Sequence, residues 1–85
     1  MSPPSETPEV PIVMPVLGWA SVRVSVWFAE PGDTIYEGDR LVEVCAGGAT
    51  FDVAAPATGR LASQLAQPRD ELAPGAVLGF VAADQ

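Results

Sequence analysis

The 85-residue chain has no lysine and no histidine, and Cys45 is its single cysteine. The sequence therefore has no metal-ligand spacing, no Cys/His pair for nucleophilic catalysis and no phosphate-binding loop. We predict that the chain is not an enzyme and has neither catalytic residues nor a metal site. One cysteine cannot form an internal disulfide, and residues 1–6 lack a basic region followed by an apolar core. We therefore expect no signal peptide and a cytoplasmic location.

Positive charge is also scarce, because four arginines stand against eleven acidic residues and the net charge is −7. Nucleic acids and anionic membranes both attract basic surfaces, so we expect neither as a ligand. No apolar run approaches the ~20 residues of a membrane span. An acidic surface that serves solubility is the simpler interpretation of the charge. If the charge has a partner, we expect a protein with a basic surface.

Helical periodicity is nowhere sustained, and short β-type segments take its place. Val22, Val24, Val26 and Phe28 recur at a period of two, which is typical of a β-strand. Further strands are predicted at 12–14, 41–44, 50–54, 61–65 and 77–82, with short ones at 34–36 and 71–73. Gly, Pro and Asp separate these segments, which favours an all-β sandwich or barrel.

The distribution of proline sets the predicted domain boundaries. Residues 1–10 contain three prolines and are interpreted as a flexible leader. One domain is predicted over 11–83, followed by a tail at 84–85.

An internal repeat divides the chain into two similar halves. Six residues recur 37 positions later, with Pro31, Asp33, Ile35, Gly38, Leu41 and Val44 matched by Pro68, Asp70, Leu72, Gly75, Leu78 and Val81. Pro15 and Gly18 recur 41 positions later, at Pro56 and Gly59. These matches predict two β units that bury their apolar faces against each other.

The two halves join at Gly47-Gly48, between β-type segments at 42–46 and 49–53. Two glycines between strands favour a tight type I′ turn, since both central residues need positive φ. Alternation along the strands assigns Val42, Val44, Phe51 and Val53 to the core face. The outward-facing set is Glu43, Cys45, Thr50 and Asp52.

Several motifs extend over about residues 11–83: IVMPVLG at 12–18, WFAEPGD at 27–33, EGDRLVEV at 37–44 and ATFDV at 49–53, with Ala55-Pro56 and Gly59. Together they resemble the biotinyl/lipoyl attachment domain. The resemblance implies an all-β fold, a flattened barrel or sandwich of two four-stranded antiparallel sheets with quasi-twofold symmetry. The internal repeat agrees with that symmetry.

In that family, a lysine at the tip of the central hairpin carries lipoate or biotin, within a Glu-Thr-Asp-Lys-Ala stretch. The matching stretch here is Cys45, Ala46, Gly47, Gly48 and Ala49. Gly48 therefore stands at the lysine position, and because a cofactor amide needs a side-chain amine, we predict no attached cofactor. The spacing from Gly18 to Trp27 is also about two residues shorter than in typical members, so we expect an altered loop beside the tip.

Four further residues are candidates for contacts near the tip. Cys45 is either an ordinary small residue, which we favour, or a reactive thiol, a substitute attachment point or an interchain link. Glu43 and Asp52 form either an acidic recognition surface or a plain solvent-facing pair, the simpler alternative. Trp19 fits a partner contact and a structural role equally well. Trp27 matches a structural position of the family, so we expect it in the core.

Two functional hypotheses follow from the resemblance. The first is a non-catalytic lipoyl-like binding or adaptor domain that has lost its attachment lysine. The second is a carrier-class homologue of the lipoyl domain of a 2-oxo acid dehydrogenase acyltransferase, or of a biotin carboxyl carrier protein, which requires a lysine where Gly48 stands. A third, weaker hypothesis is a fragment of a larger adaptor, as in efflux assemblies, which requires long helical flanks.

Overall fold

The computed structural model describes residues 8–15, 18 and 21–84, and these contain eight β-strands. The strands are β1 (Glu9–Val13), β2 (Val22–Trp27), β3 (Thr34–Ile35), β4 (Arg40–Ala46), β5 (Ala49–Ala54), β6 (Gly59–Gln64), β7 (Glu71–Leu72) and β8 (Val77–Ala83). Each strand predicted from the sequence is present. The predicted boundary at residue 11 is two residues late, because Glu9 and Val10 already pair with β8. No helix of the described residues is long and apolar enough to cross a membrane.

The strands form two four-stranded antiparallel sheets. The hairpin sheet has the order β5-β4-β2-β7, and the opposite sheet has the order β1-β8-β6-β3. The two strand orders are related by the internal repeat. β5, β4, β2 and β7 of the hairpin sheet correspond in turn to β1, β8, β6 and β3 of the opposite sheet. The predicted all-β architecture with quasi-twofold symmetry is therefore confirmed.

Hydrogen bonds outside the strands repeat the same symmetry. The Phe28 N–H donates to the Leu41 carbonyl, and 37 residues later the Leu65 N–H donates to the Leu78 carbonyl, both at 2.8 Å. The predicted repeat of residues 31–44 at 68–81 thus corresponds to two structurally equivalent segments. Each half therefore forms the equivalent main-chain hydrogen bond.

One match of the repeat is not a structural equivalence. β2 and β6 both have six residues and begin 37 positions apart, so Gly59, which opens β6, corresponds to Val22. Gly18 lies in the connection before β2, with φ of 78°. The four-residue length difference between the halves therefore lies in the β1–β2 connection, which is longer than its β5–β6 counterpart.

The core lies between the two sheets and is entirely apolar among the described residues. Its members are Ile12, Met14, Val22, Val24, Ile35, Leu41, Val42, Val44, Ala46, Val53, Ala55, Leu61, Ala66, Leu72, Leu78 and Val81. Val42, Val44 and Val53 are buried as the alternation predicts, and Phe51 is half-buried against the same cluster. Burial of the Val, Leu, Ile and Met side chains stabilises the fold by roughly 1.5–3 kcal/mol each.

A β-bulge reverses the alternation within β2. The pairing of β2 with β4 shifts between Val24 and Val26, so one extra residue is inserted on β2. Val24 points into the core, whereas Val26 and Phe28 are 41% and 43% exposed. Trp27 instead packs against the core. The alternation that predicts the strand therefore assigns residues to the correct face only as far as Val24.

Candidate functional site

The tip of the β4–β5 hairpin is a two-residue turn. Ala46 pairs with Ala49, and Gly47 and Gly48 between them have φ of 57° and 83°. Left-handed backbone at both central residues is what a type I′ turn requires, and its twist matches that of the flanking strands. The predicted turn is confirmed, and the two glycines supply its backbone conformation.

The tip projects into open space. Residues 47–50 are exposed, and a Cβ placed on Gly48 would have no heavy atom within 4 Å. A side chain at this position would extend freely into solvent. Gly48 therefore provides no chemistry of its own, although the scaffold leaves the position accessible.

Cys45 is half-buried and free, on the outer face of β4. Its strand neighbours are Arg23 on β2 and Thr50 on β5. The Arg23 guanidinium lies towards β7, on the other side of β2 from Cys45. It donates to the Arg69 carbonyl at 3.1 Å and lies 3.8 Å from a carboxylate oxygen of Glu71. The basic neighbour of Cys45 comes from another strand, so local sequence around the cysteine does not reveal it.

Glu43 and Asp52 lie directly opposite each other on β4 and β5. Glu43 is half-buried, and Asp52 is exposed and 3.3 Å from the Arg40 guanidinium. Arg40 also lies over the Phe28 ring, 4.6 Å from its centroid. The predicted outward direction of both acids is confirmed. Arg40, which sequence reasoning missed, compensates one of them.

Of the two tryptophans, the structure describes Trp27 alone. Trp19 lies outside the described residues. Trp27 is half-buried, packs against the core and donates from Nε1 to the Ala66 carbonyl at 2.9 Å. This structural place agrees with the expectation for Trp27. Val22 pairs with Ala46, so β2 begins beside the hairpin tip.

The end of β4 away from the tip borders a groove of about 440 Å³. Two of its acids, Asp33 and Asp39, accept backbone N–H groups of Glu30 and Tyr36 at 2.8 and 3.0 Å. These carboxylates therefore stabilise turns. The described residues contain no group of three or more His, Cys, Asp or Glu side chains arranged to hold a metal ion.

The hairpin, the two equivalent halves and the exposed tip define the type of domain. A family model for biotin and lipoyl domains, described as "Biotin-requiring enzyme", matches residues 10–80, which is most of the chain. The chain belongs to the biotinyl/lipoyl attachment domain family.

A curated relative of this biotinyl/lipoyl domain is the dihydrolipoyllysine-residue acetyltransferase component of the acetoin cleaving system of Pseudomonas putida. It is 37% identical over 59 residues, which are 69% of this chain and 16% of that protein. The chain therefore spans about a sixth of the length of this relative.

The same fold is found in a solved structure, the lipoyl domain of the 2-oxoglutarate dehydrogenase complex from Azotobacter vinelandii. The TM-score is 0.67 at 22% identity, and the match covers 82% of this chain and 94% of that one. At this level of identity, the similarity shows the shared fold.

Proposed function

We propose that this biotinyl/lipoyl-type chain is a non-catalytic binding or adaptor domain without a covalently attached cofactor. The observation that carries the proposal is the hairpin tip, where Gly47 and Gly48 form the whole two-residue turn. The chain has no lysine at any of its 85 positions. Acylation of a side-chain amine, the step that loads a carrier domain, therefore has no acceptor here.

The outer surface beside the tip supports a binding role. Glu43 and Asp52 lie opposite each other on neighbouring strands, and Arg40 compensates only Asp52. The net charge of −7 also favours approach of a basic protein surface. Nucleic acid remains an unfavourable ligand, because two of the four arginines, Arg23 and Arg40, already lie within 4 Å of carboxylates. We therefore propose a protein partner with a basic surface, and neither a nucleic acid nor a membrane.

The carrier-class role is the second candidate, and the Pseudomonas putida relative favours it, because its name states a dihydrolipoyllysine residue. A carrier without lysine needs another attachment atom. Cys45 has the one thiol of the chain and lies one residue before the buried Ala46, close to the turn. Under this candidate function, the thiol takes the place of the amine.

Peptide mass spectrometry of protein purified from its own source separates the two candidates. Cleavage after arginine releases residues 41–60 as one peptide that contains Cys45 and the whole tip. The adaptor proposal predicts the unmodified mass for this peptide. A lipoyl, biotinyl or other acyl increment on it would contradict that proposal, and loss of the increment in Cys45→Ser would establish the thiol carrier. Ala62→Ser, outside the peptide, is the matched control.

A further inference from the structure

The outer faces of the two sheets differ in a way that the fold does not require. Quasi-twofold symmetry relates each outward position of the hairpin sheet to one of the opposite sheet. The hairpin sheet has Arg40, Glu43 and Asp52 where the opposite sheet has Val77, Phe80 and Pro11. The exposed apolar residues of the hairpin sheet are Val26 and Phe28, and Arg40 lies over the Phe28 ring. Because the same strand pairing accepts charged side chains in one sheet, the apolar side chains of the other are not needed to form it.

The apolar residues of the opposite sheet are contiguous. Val13 pairs with Val77, and Leu65 lies on the other side of β8 through its N–H bond to the Leu78 carbonyl. Val13, Val77 and Leu65 are 45%, 39% and 58% exposed. Pro11 and Phe80 form the next pair along the strands. We call Pro11, Val13, Leu65, Val77 and Phe80 the apolar face.

Charge occurs at one end of this sheet in a self-complementary pattern. Glu9 on β1 and Arg60 on β6 both pair with Ala82, so they flank β8 on opposite sides. A twofold axis that runs parallel to β8, between two facing sheets, places Glu9 of one copy opposite Arg60 of the other. The same axis packs Val77 and Phe80 of β8 against their own counterparts.

We propose that the apolar face is the interface of a homodimer with this axis. Two copies of a chain with net charge −7 repel each other, so their contact needs apolar burial or pairs of opposite charges to offset the repulsion, and this face provides both. Pairing through the edge of the same sheet is disfavoured, because Pro11 lies in the middle of edge strand β1 and has no N–H to donate.

The size of the face sets the expected strength. The strands of this sheet have five, seven, six and two residues. At about 3.3 Å per residue and about 4.8 Å between strands, the sheet offers roughly 300 Å² per copy. This area lies below the roughly 600 Å² per partner of stable specific interfaces, so the dimer is weak and forms only at high protein concentration.

Sedimentation equilibrium of the whole chain from 10 µM to 1 mM tests the proposal. We expect the weight-average mass to rise from 8.8 kDa at low concentration towards twice that value. The variant Val77→Arg/Phe80→Glu introduces the residues that the hairpin sheet has at the equivalent positions, and we expect it to remain at the monomer mass. Val26→Ser, on the other outer face, is the control and should dimerise like the wild type. A wild-type mass of 8.8 kDa at every concentration would overturn the proposal, as would a Val77→Arg/Phe80→Glu variant that dimerises normally.

A charge exchange tests the direction of the axis. Glu9→Arg alone places two arginines in contact across the interface and should raise the dimer dissociation constant at least tenfold. Glu9→Arg/Arg60→Glu restores opposite charges and should recover wild-type dimerisation. Failure of the double variant to recover, with an unchanged melting temperature, would exclude an axis along β8.

Discussion

Trp27 and Gln64 occupy equivalent positions in the two halves, and each binds a main-chain carbonyl of the other half. The Trp27 indole N–H donates to the Ala66 carbonyl at 2.9 Å, and the Gln64 side-chain amide donates to the Ala29 carbonyl at 2.8 Å. The two acceptors are equivalent as well. Two chemically different side chains thus donate to equivalent carbonyls in the two halves.

Loss of either donor should therefore destabilise the domain. Trp27→Phe removes the donor to the carbonyl of the buried Ala66, and Gln64→Leu removes the donor to that of the half-buried Ala29. We expect each variant to lower the free energy of unfolding by about 1–2 kcal/mol. Urea denaturation followed by far-UV circular dichroism measures the change. Gln67→Leu, at an exposed glutamine, is the control and should have little effect. Wild-type midpoints for both Trp27→Phe and Gln64→Leu would show that the two hydrogen bonds do not contribute to stability.

Replacement of the tip glycines should destabilise the hairpin through the backbone alone. A valine at Gly47 or Gly48 must adopt positive φ, which costs about 1–2 kcal/mol for a residue with a branched Cβ. The open space around Gly48 excludes a steric contribution there. Thr50→Val, on the same hairpin, is the matched control, and chemical denaturation of the three variants provides the comparison. Unchanged midpoints for the glycine variants would mean that the turn conformation is different.

Arg69 should be replaceable by glycine with a gain in stability. Arg69 has φ of 78°, and the equivalent residue in the other half is Gly32 with φ of 97°. The hydrogen bonds at this turn use the Arg69 N–H and carbonyl, so they survive loss of the side chain. We expect Arg69→Gly to raise the free energy of unfolding by about 0.5–1 kcal/mol. Gly32→Arg should lower it by a similar amount, and equal melting temperatures for all three proteins would refute the strain argument.

Two strand glycines are required for close approach of β6 and β8. A Cβ on Gly59 would collide with the Ala82 carbonyl oxygen, and one on Gly79 would collide with that of Ser63. Both obstacles are backbone atoms of a paired strand and cannot move without breaking the sheet. We expect Gly59→Ala and Gly79→Ala to cost at least ~2 kcal/mol each. In Gly38→Ala the added Cβ meets nothing within 4 Å, but the residue has φ of 93°. We expect this variant to cost only the backbone strain of about 1 kcal/mol, less than the two strand variants in thermal denaturation.

A lysine restored at the tip should be a substrate for a lipoate ligase in vitro. The graft Cys45→Glu/Gly47→Asp/Gly48→Lys supplies the amine and changes the turn chemistry, while Ala46 is kept because it is 2% exposed and part of the core. We expect at least partial modification, seen as a lipoyl mass increment, because the tip is exposed and the scaffold belongs to the family. The matched control replaces Gly48 by arginine, which leaves no amine to acylate. A folded graft that stays unmodified would remove the support for aligning Gly48 with the family's lysine.

Local sequence patterns were sufficient for the strands, the repeat and the hairpin turn. Alternation, Gly-Gly at 47–48 and matched residues in the two halves depend on short-range backbone preferences, which a single sequence displays directly. The absence of an amine in the chain is likewise a property of the sequence alone.

The tertiary structure decided which side chains meet and which remain outside. The bulge after Val24 turns Phe28 outward and Trp27 inward, because the register of β2 is set by its pairing with β4. Arg23 lies beside Cys45, and Arg40 lies beside Asp52, only after strands distant in sequence have paired. The replacement of Arg40, Glu43 and Asp52 by Val77, Phe80 and Pro11 on the other sheet also emerges only at this level, since quasi-twofold symmetry identifies the positions to be compared. Such relationships depend on non-local contacts, and no local periodicity encodes them.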